Sequence, residues 1–143
     1  MPPEDNKALV RRWFAELDAG NLDIIDELVP EDYVDHNPAI GGLGTGREGI
    51  RAYIEMLRAA FPDTVHVIED QMAEGDKVMT RLTARGTFLG AILGYAPTGR
   101  LVTVSGIAVH RIAQGQLVEH WAHLDMAGFI EQLGGEGSVE RVH

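Results

Sequence analysis

The chain has 143 residues, 45% apolar and 24% charged, which is enough for one core-bearing domain and too few for two ordinary ones. Its net charge of −10 argues against a nucleic-acid partner, which would need a basic surface to displace phosphate counterions, and against anionic membrane surfaces. With no cysteine, disulfides, thiol nucleophiles and thiolate metal sites are all excluded.

The start, MPPEDNKALVRRW, turns acidic at once and lacks the apolar core of a signal peptide. No stretch reaches the roughly 18 apolar residues of a membrane span. The expectation is a soluble, cytoplasmic protein of one domain over 1–143, with flexible ends at 1–5 and 136–143. In NKALVRRWFAELDAGN the residues Leu9, Val10, Trp13, Phe14 and Leu17 recur at helical spacing, and Gly20 follows as a C-terminal cap. A short second helix fits LDIIDELV, stopped by Pro30. A third begins at Thr45, which can form a capping box with Glu48, and its stripe is Ile50, Tyr53, Ile54, Leu57 and Phe61.

The second half reads as antiparallel strands. TVHVIEDQM and KVMTRLTARGTF flank the turn EGD, and a loop rich in glycine and proline leads to LVTVSGIAVHRI. AQGQ then turns the chain back through LVEHWAHLD, and MAGFIEQLGG suits a closing helix. Helices followed by a meander of strands predict an α+β domain: a curved antiparallel sheet wrapped around the N-terminal helices, with an apolar pocket.

VEHWAHLD holds most of the candidate chemistry. Strand alternation sends His120 and His123 to opposite faces, which argues against a zinc site built on them. If Gln114 and Gly115 form a two-residue loop with no bulge beyond it, His110 would face Glu119, Ala108 would face Trp121, Gly106 would face His123, and Val104 would face Asp125. That row then becomes the pocket face, where glycine and alanine beside bulky groups leave room for a ligand. The opposite row, Ser105, Ile107, Val109, Val118, His120, Ala122 and Leu124, is apolar enough to suggest a homodimer through the outer face of the sheet.

YVDHNP after two helices, a helix ending AFPD, the run GYAPTGR, then GIAVHRIAQGQLVEHWAHLD and FIEQLG together resemble the SnoaL-like polyketide cyclases of the nuclear-transport-factor-2-like, or cystatin-like, superfamily. The resemblance runs from about Trp13 to Gly134. It implies a cone-shaped α+β fold and a cofactor-independent, metal-free aldol-type cyclase, or a related lyase or isomerase, acting on an apolar ketone-bearing or polyketide-like ligand. It further implies that an aspartate on the last strand is the acid–base, matched here to Asp125, and that the region of His36 lines the cavity. Phe88 stands where the resemblance leads one to expect a polar pocket group.

From the residues themselves, Asp125 is the leading catalytic candidate, because a carboxylate in a dry pocket can shuttle protons. Its competing role is to cap the last helix. His110 is the second catalytic candidate, with pairing to Glu119 as its plainer alternative. Tyr33, His36, Asn37, Arg81, Phe88, Trp121 and His123 complete the expected substrate-binding set. Two other functions fit the same scaffold: dehydration by a His110–Asp125 pair, or a non-catalytic domain that binds a hydrophobic ligand.

Overall fold

The computed structural model describes residues 2–134. Helix α1 spans Pro3–Asp18 and buries Val10, Trp13, Phe14 and Leu17, the stripe that its spacing predicts. Proline suits its first position, where a backbone N–H has no partner in any case. Pro3, Glu4 and Asp5, expected within a flexible end, form its first turn instead. The expected flexible segment 136–143 lies outside the described residues.

Gly20, at a φ of 84°, ends the turn after α1, and α2 covers Asp23–Leu28 before Pro30. Helix α3 is Gly46–Ala60, with Thr45 at its N-cap. The expected capping box does not form. Gly46 enters the helix at a left-handed φ of 65°, which takes the Thr45 hydroxyl out of reach, and Glu48 pairs instead with Arg51 at 3.3 Å.

Strands β1 (Val34–Asp35), β2 (Val65–Glu74), β3 (Lys77–Thr87), β4 (Leu101–Ala113) and β5 (Gln116–Leu124) form one curved sheet in the order β1-β5-β4-β3-β2. All neighbours are antiparallel except β1, which runs parallel to β5. Helix α4 (Met126–Gly134) closes the described chain. One buried cluster joins α1 and α2 to β3, β4 and β5 through Val10, Phe14, Ile25, Val78, Ala108 and Leu117. A second gathers Phe61, Phe88, Val102, Phe129 and Leu133 under α4. No helix among the described residues is long and apolar enough to cross a membrane.

The last hairpin departs from the expected register. Its two-residue loop is as expected, with Ala113 opposite Gln116 and Ile112 opposite Leu117. The next pair is Arg111 with Glu119, so Val118 is an extra residue on β5. From that bulge onward every partner moves by one: His110 faces His120, Ala108 faces Ala122, and Ile107 faces His123. A one-residue slip exchanges the faces. His120, Ala122 and Leu124 turn inward, while Glu119, Trp121 and His123 join Ile107 and Val109 outside.

Candidate active site

The inner face of the sheet and the helices over it line a cavity of about 500 Å³ that is partly open to solvent. Its walls are mostly apolar, from Ile50, Tyr53, Ile54 and Leu57 of α3 to Val102, Val104 and Leu124 of the sheet. Ala108 and Ala122, partners in the ladder, put only two methyl groups where larger side chains would fill the space. The expectation of small residues guarding volume therefore holds for Ala108, though its neighbour is not Trp121.

Into this wall the β1–β5 ladder sets a carboxylate and an imidazole side by side. Asp35 is the register partner of His120, and His120 Nδ1 lies 3.3 Å from Asp35 Oδ1. A carboxylate oxygen accepts, so Nδ1 donates to it, and Nε2 has no hydrogen-bond partner among the described residues. Three hydrogen bonds fix the alignment: the His36 N–H donates to the His120 carbonyl at 2.9 Å, and the Asn37 side chain makes two with the Ala122 backbone. The Asn37 amide satisfies both backbone groups of Ala122, which extends the short β1 pairing by one residue.

Rings surround the pair. Tyr33 stacks on His120 with centroids 6.5 Å apart, and the His110 ring lies 4.7 Å from that of His120. His110 is buried, and burial first, with the neighbouring His120 second, pushes its pKa well below the usual histidine value. It is therefore a neutral imidazole. Its enclosed Nδ1 has no partner among the described residues. Burial, and then the Asp35 charge, raises both cavity tyrosines, Tyr53 to about 12 and Tyr33 further. Both stay protonated phenols, able to donate.

A second pair stands on another part of the wall. Asp18, the last residue of α1, accepts from the His66 backbone N–H at 2.8 Å and touches His66 Nδ1 at 2.6 Å. Arg58 and Arg85 line the same cavity.

Of the residues expected at the site, the structure brings Tyr33 and His110 into the cavity wall. The others lie elsewhere, each for an identifiable reason. The bulge turns Trp121 and His123 to the outer face, where Trp121 stacks on His36 at 4.5 Å and Lys77 Nζ sits 5.8 Å above the indole. His36 also pairs with Glu119 at 2.6 Å, because alternation along β1 sends Tyr33 and Asp35 inward and His36 outward. Arg111, and not His110, is the other partner of Glu119, and His36 and Arg111 together hold that carboxylate below its usual range. Asn37 acts on the backbone of β5, outside the lining. Arg81 is exposed on the outer face and pairs with Asp70 at 3.0 Å. Phe88 is fully buried behind Phe61, 5.4 Å away, and backs the wall without lining it.

Asp125 is exposed and begins α4, where its Oδ1 accepts the Gly128 N–H at 3.0 Å. That is an N-cap, outside the cavity lining, so the pocket-side position expected for Asp125 is corrected together with the register. The His110–Asp125 pair expected for a dehydratase is not assembled either. Sequence reasoning missed the cavity roles of His120, Tyr53 and the Asp18–His66 pair, and read Asp35 only as a loop residue that could close one end of the pocket or stabilise a turn. Period-two alternation through YVDH would have found Asp35, had the segment been read as a strand.

Comparison with known proteins gives a consistent result. The profile described as SnoaL-like polyketide cyclase matches residues 8–133. The aklanonic acid methyl ester cyclase DnrD of Streptomyces peucetius is 30% identical over 132 residues, covering 88% of each chain. The nogalonic acid methyl ester cyclase of Streptomyces nogalater is 28% identical, over 80% of this chain and 87% of its own. Among solved structures, TsrD from Streptomyces laurentii superposes with a TM-score of 0.82 at 30% identity, covering 94% of this chain and 98% of its own. IdmH from Streptomyces antibioticus gives 0.78 at 31%, covering 94% and 99%.

Proposed function

The chain belongs to the SnoaL-like polyketide cyclase family, and on that premise we propose that it closes a ring in a polyketide-derived ketone by intramolecular aldol addition, with its own side chains as base and acid. His120 is the base. Its Nε2 takes a proton from the carbon beside one carbonyl, and the resulting enolate carbon attacks the carbon of a second carbonyl. A carbon–carbon bond forms as the second carbonyl π bond opens, and the alkoxide then takes up a proton. No atom is gained or lost overall, so the product is an isomer of the substrate.

The observation that carries this reading is the Asp35–His120 pair in an apolar cavity that two protonated phenols, Tyr33 and Tyr53, also line. Asp35 holds the ring in the tautomer that leaves Nε2 free and offsets the imidazolium that forms. Tyr33 and Tyr53 can donate to the enolate oxygen, and in a dry wall such donors count for more than in water. Neutral His110 adds no competing charge beside the reacting ring.

The test is incubation with aklanonic acid methyl ester, the compound named for the Streptomyces peucetius relative, followed by mass-resolved chromatography. The expected product has the substrate's mass and a new retention time. His120→Asn should slow its formation roughly 10²- to 10⁴-fold, the usual worth of a general base. Undiminished turnover in that variant would exclude His120 as the base.

A homodimer through the outer face of the sheet belongs to the same proposal. Met72 and Ile107 are 59% and 38% exposed there, and Val109 and Trp121 continue the apolar row. Light scattering should give twice the chain mass, and a monomer at micromolar concentration would overturn the pairing.

A further inference from the structure

We infer that the Asp18–His66 pair is the acid end of the cavity: His66 protonates the oxygen of the carbonyl attacked in ring closure, and Asp18 positions it. This deepens the cyclase reading and rests on it. The aldol sequence has two proton transfers at different atoms, one from carbon to base and one from acid to the new alkoxide. A single imidazole can serve both atoms only if it moves or the substrate turns. The cavity wall instead holds two histidine–carboxylate pairs of the same design, on different strands.

The geometry of His66 suits delivery of a proton. Asp18 grips it twice, at the ring through Nδ1 and at its own backbone N–H, so ring and strand are held as one unit. The hydrogen bonds of the described residues leave Nε2 unengaged, and His66 lines the cavity. Its side chain keeps 21% exposure, so it can recover a proton from solvent after each turnover, whereas buried His110 cannot. The charged neighbours on this wall are Asp18 from α1, Arg58 from α3 and Arg85 from β3. Arg58 is tied to the Leu17 carbonyl at 2.9 Å, which holds one guanidinium in the same wall, where a positive charge would favour an oxyanion.

The two pairs line the same cavity and are joined by a chain of ring contacts. Phe14 touches the His66 ring at 4.9 Å and the His110 ring at 6.1 Å, and His110 lies against His120. Base and acid acting on the two ends of a forming C–C–O unit stand on the order of 7–9 Å apart. Phe14, between His66 and His110 in that chain, is an apolar ring on the path from one pair to the other. The substrate class is then a compound with an acidic C–H beside one carbonyl and a second carbonyl a few bonds away, lying across the Phe14 ring.

Deuterium oxide separates the two halves of the reaction. With aklanonic acid methyl ester as probe, deuterium entering the carbon beside the carbonyl reports the base, and the isomer reports base and acid together. His66→Gln should leave exchange within about threefold of the parent and lower ring closure about 10²-fold or more. Asp18→Asn, which keeps the ring and so guards against a folding defect in the first variant, should lower closure alone by about tenfold. Exchange and closure falling in parallel, or closure unchanged in both variants, overturns the assignment. A parent protein that binds the ester but neither exchanges nor cyclises it overturns the cyclase reading, and this assignment with it.

Discussion

The two rows of strand β5 carry similar residue types and have opposite surroundings. Outside, Glu119 is held by His36 and Arg111, Trp121 is covered by His36 and Lys77, and His123 is exposed. Inside, His120 has one carboxylate partner, aromatic neighbours and a cavity. The outer groups have their hydrogen-bonding and charge demands met by partners or water, so little is left for a ligand. The inner imidazole has one nitrogen committed and one free, in apolar surroundings where a hydrogen bond or a charge is worth more than at the surface. Reactivity on this strand tracks unspent valence in a dry place, not the density of polar residues.

The bulge at Val118 sets which row faces inward, so adding one more residue, an alanine inserted between Glu119 and His120, is the harshest way to break the comparison. The strand would have to slip by one, turning Trp121 into the space of two alanines and His120 into solvent. The expected cost is roughly 4 kcal/mol or more, since overpacking and lost polar pairing act together. Urea denaturation measures it. A loss below about 1 kcal/mol, comparable to an ordinary surface substitution, would mean the bulge does not set the faces.

That bulge is also the boundary of what the sequence makes legible. Helix positions, strand order along the chain and the two-residue loop at Gln114 and Gly115 are set by spacing and turn chemistry, and the structure has them. The apolar residues of α1 and α3 face inward as their periodicity requires. A bulge has no comparable signature, because Leu117 and Val118 are equally suited to a strand and only tertiary packing selects which one is extra. Every expectation beyond it carries the wrong face, including that for Asp125. The site itself is half visible: His110 comes from an inward row that alternation identifies, and Tyr33 from a segment expected to be a loop. Asp35 and His120 meet through a parallel contact between residues 85 positions apart, which no local pattern announces.

His110 allows a milder test, by pH. Its folded-state pKa lies well below the ordinary 6.5, while the unfolded chain titrates near that value. The stability this contributes is complete above about pH 6.5 and is lost as pH falls from there towards the folded value, since the unfolded state takes up a proton that the buried ring refuses. The expected slope is up to about 1.4 kcal/mol per pH unit from this one group. His110→Phe, which keeps a buried ring, should flatten that part of the profile between pH 6.5 and 5. An unchanged slope would place the titration in other groups.

The smallest effect sits at the junction between the two rows and the last helix. Asp125 lies just past the end of β5, and its carboxylate meets the third residue of α4 in the N-cap arrangement. Gly128 makes this possible, because a Cβ there would meet Asp125 Cγ at 3.0 Å and its nearer carboxylate oxygen closer still. If capping is its work, Asp125→Ala should cost about 1 kcal/mol of stability with cyclisation unchanged, and Asp125→Asn should cost less, since an amide oxygen accepts the same bond. A catalytic carboxylate predicts the reverse ranking of effects: Asn would fold as well as the parent and still lose turnover. Measuring both variants for both properties therefore decides whether proton transfer belongs to the inner row, with His120, or to the exposed residue that closes the strand.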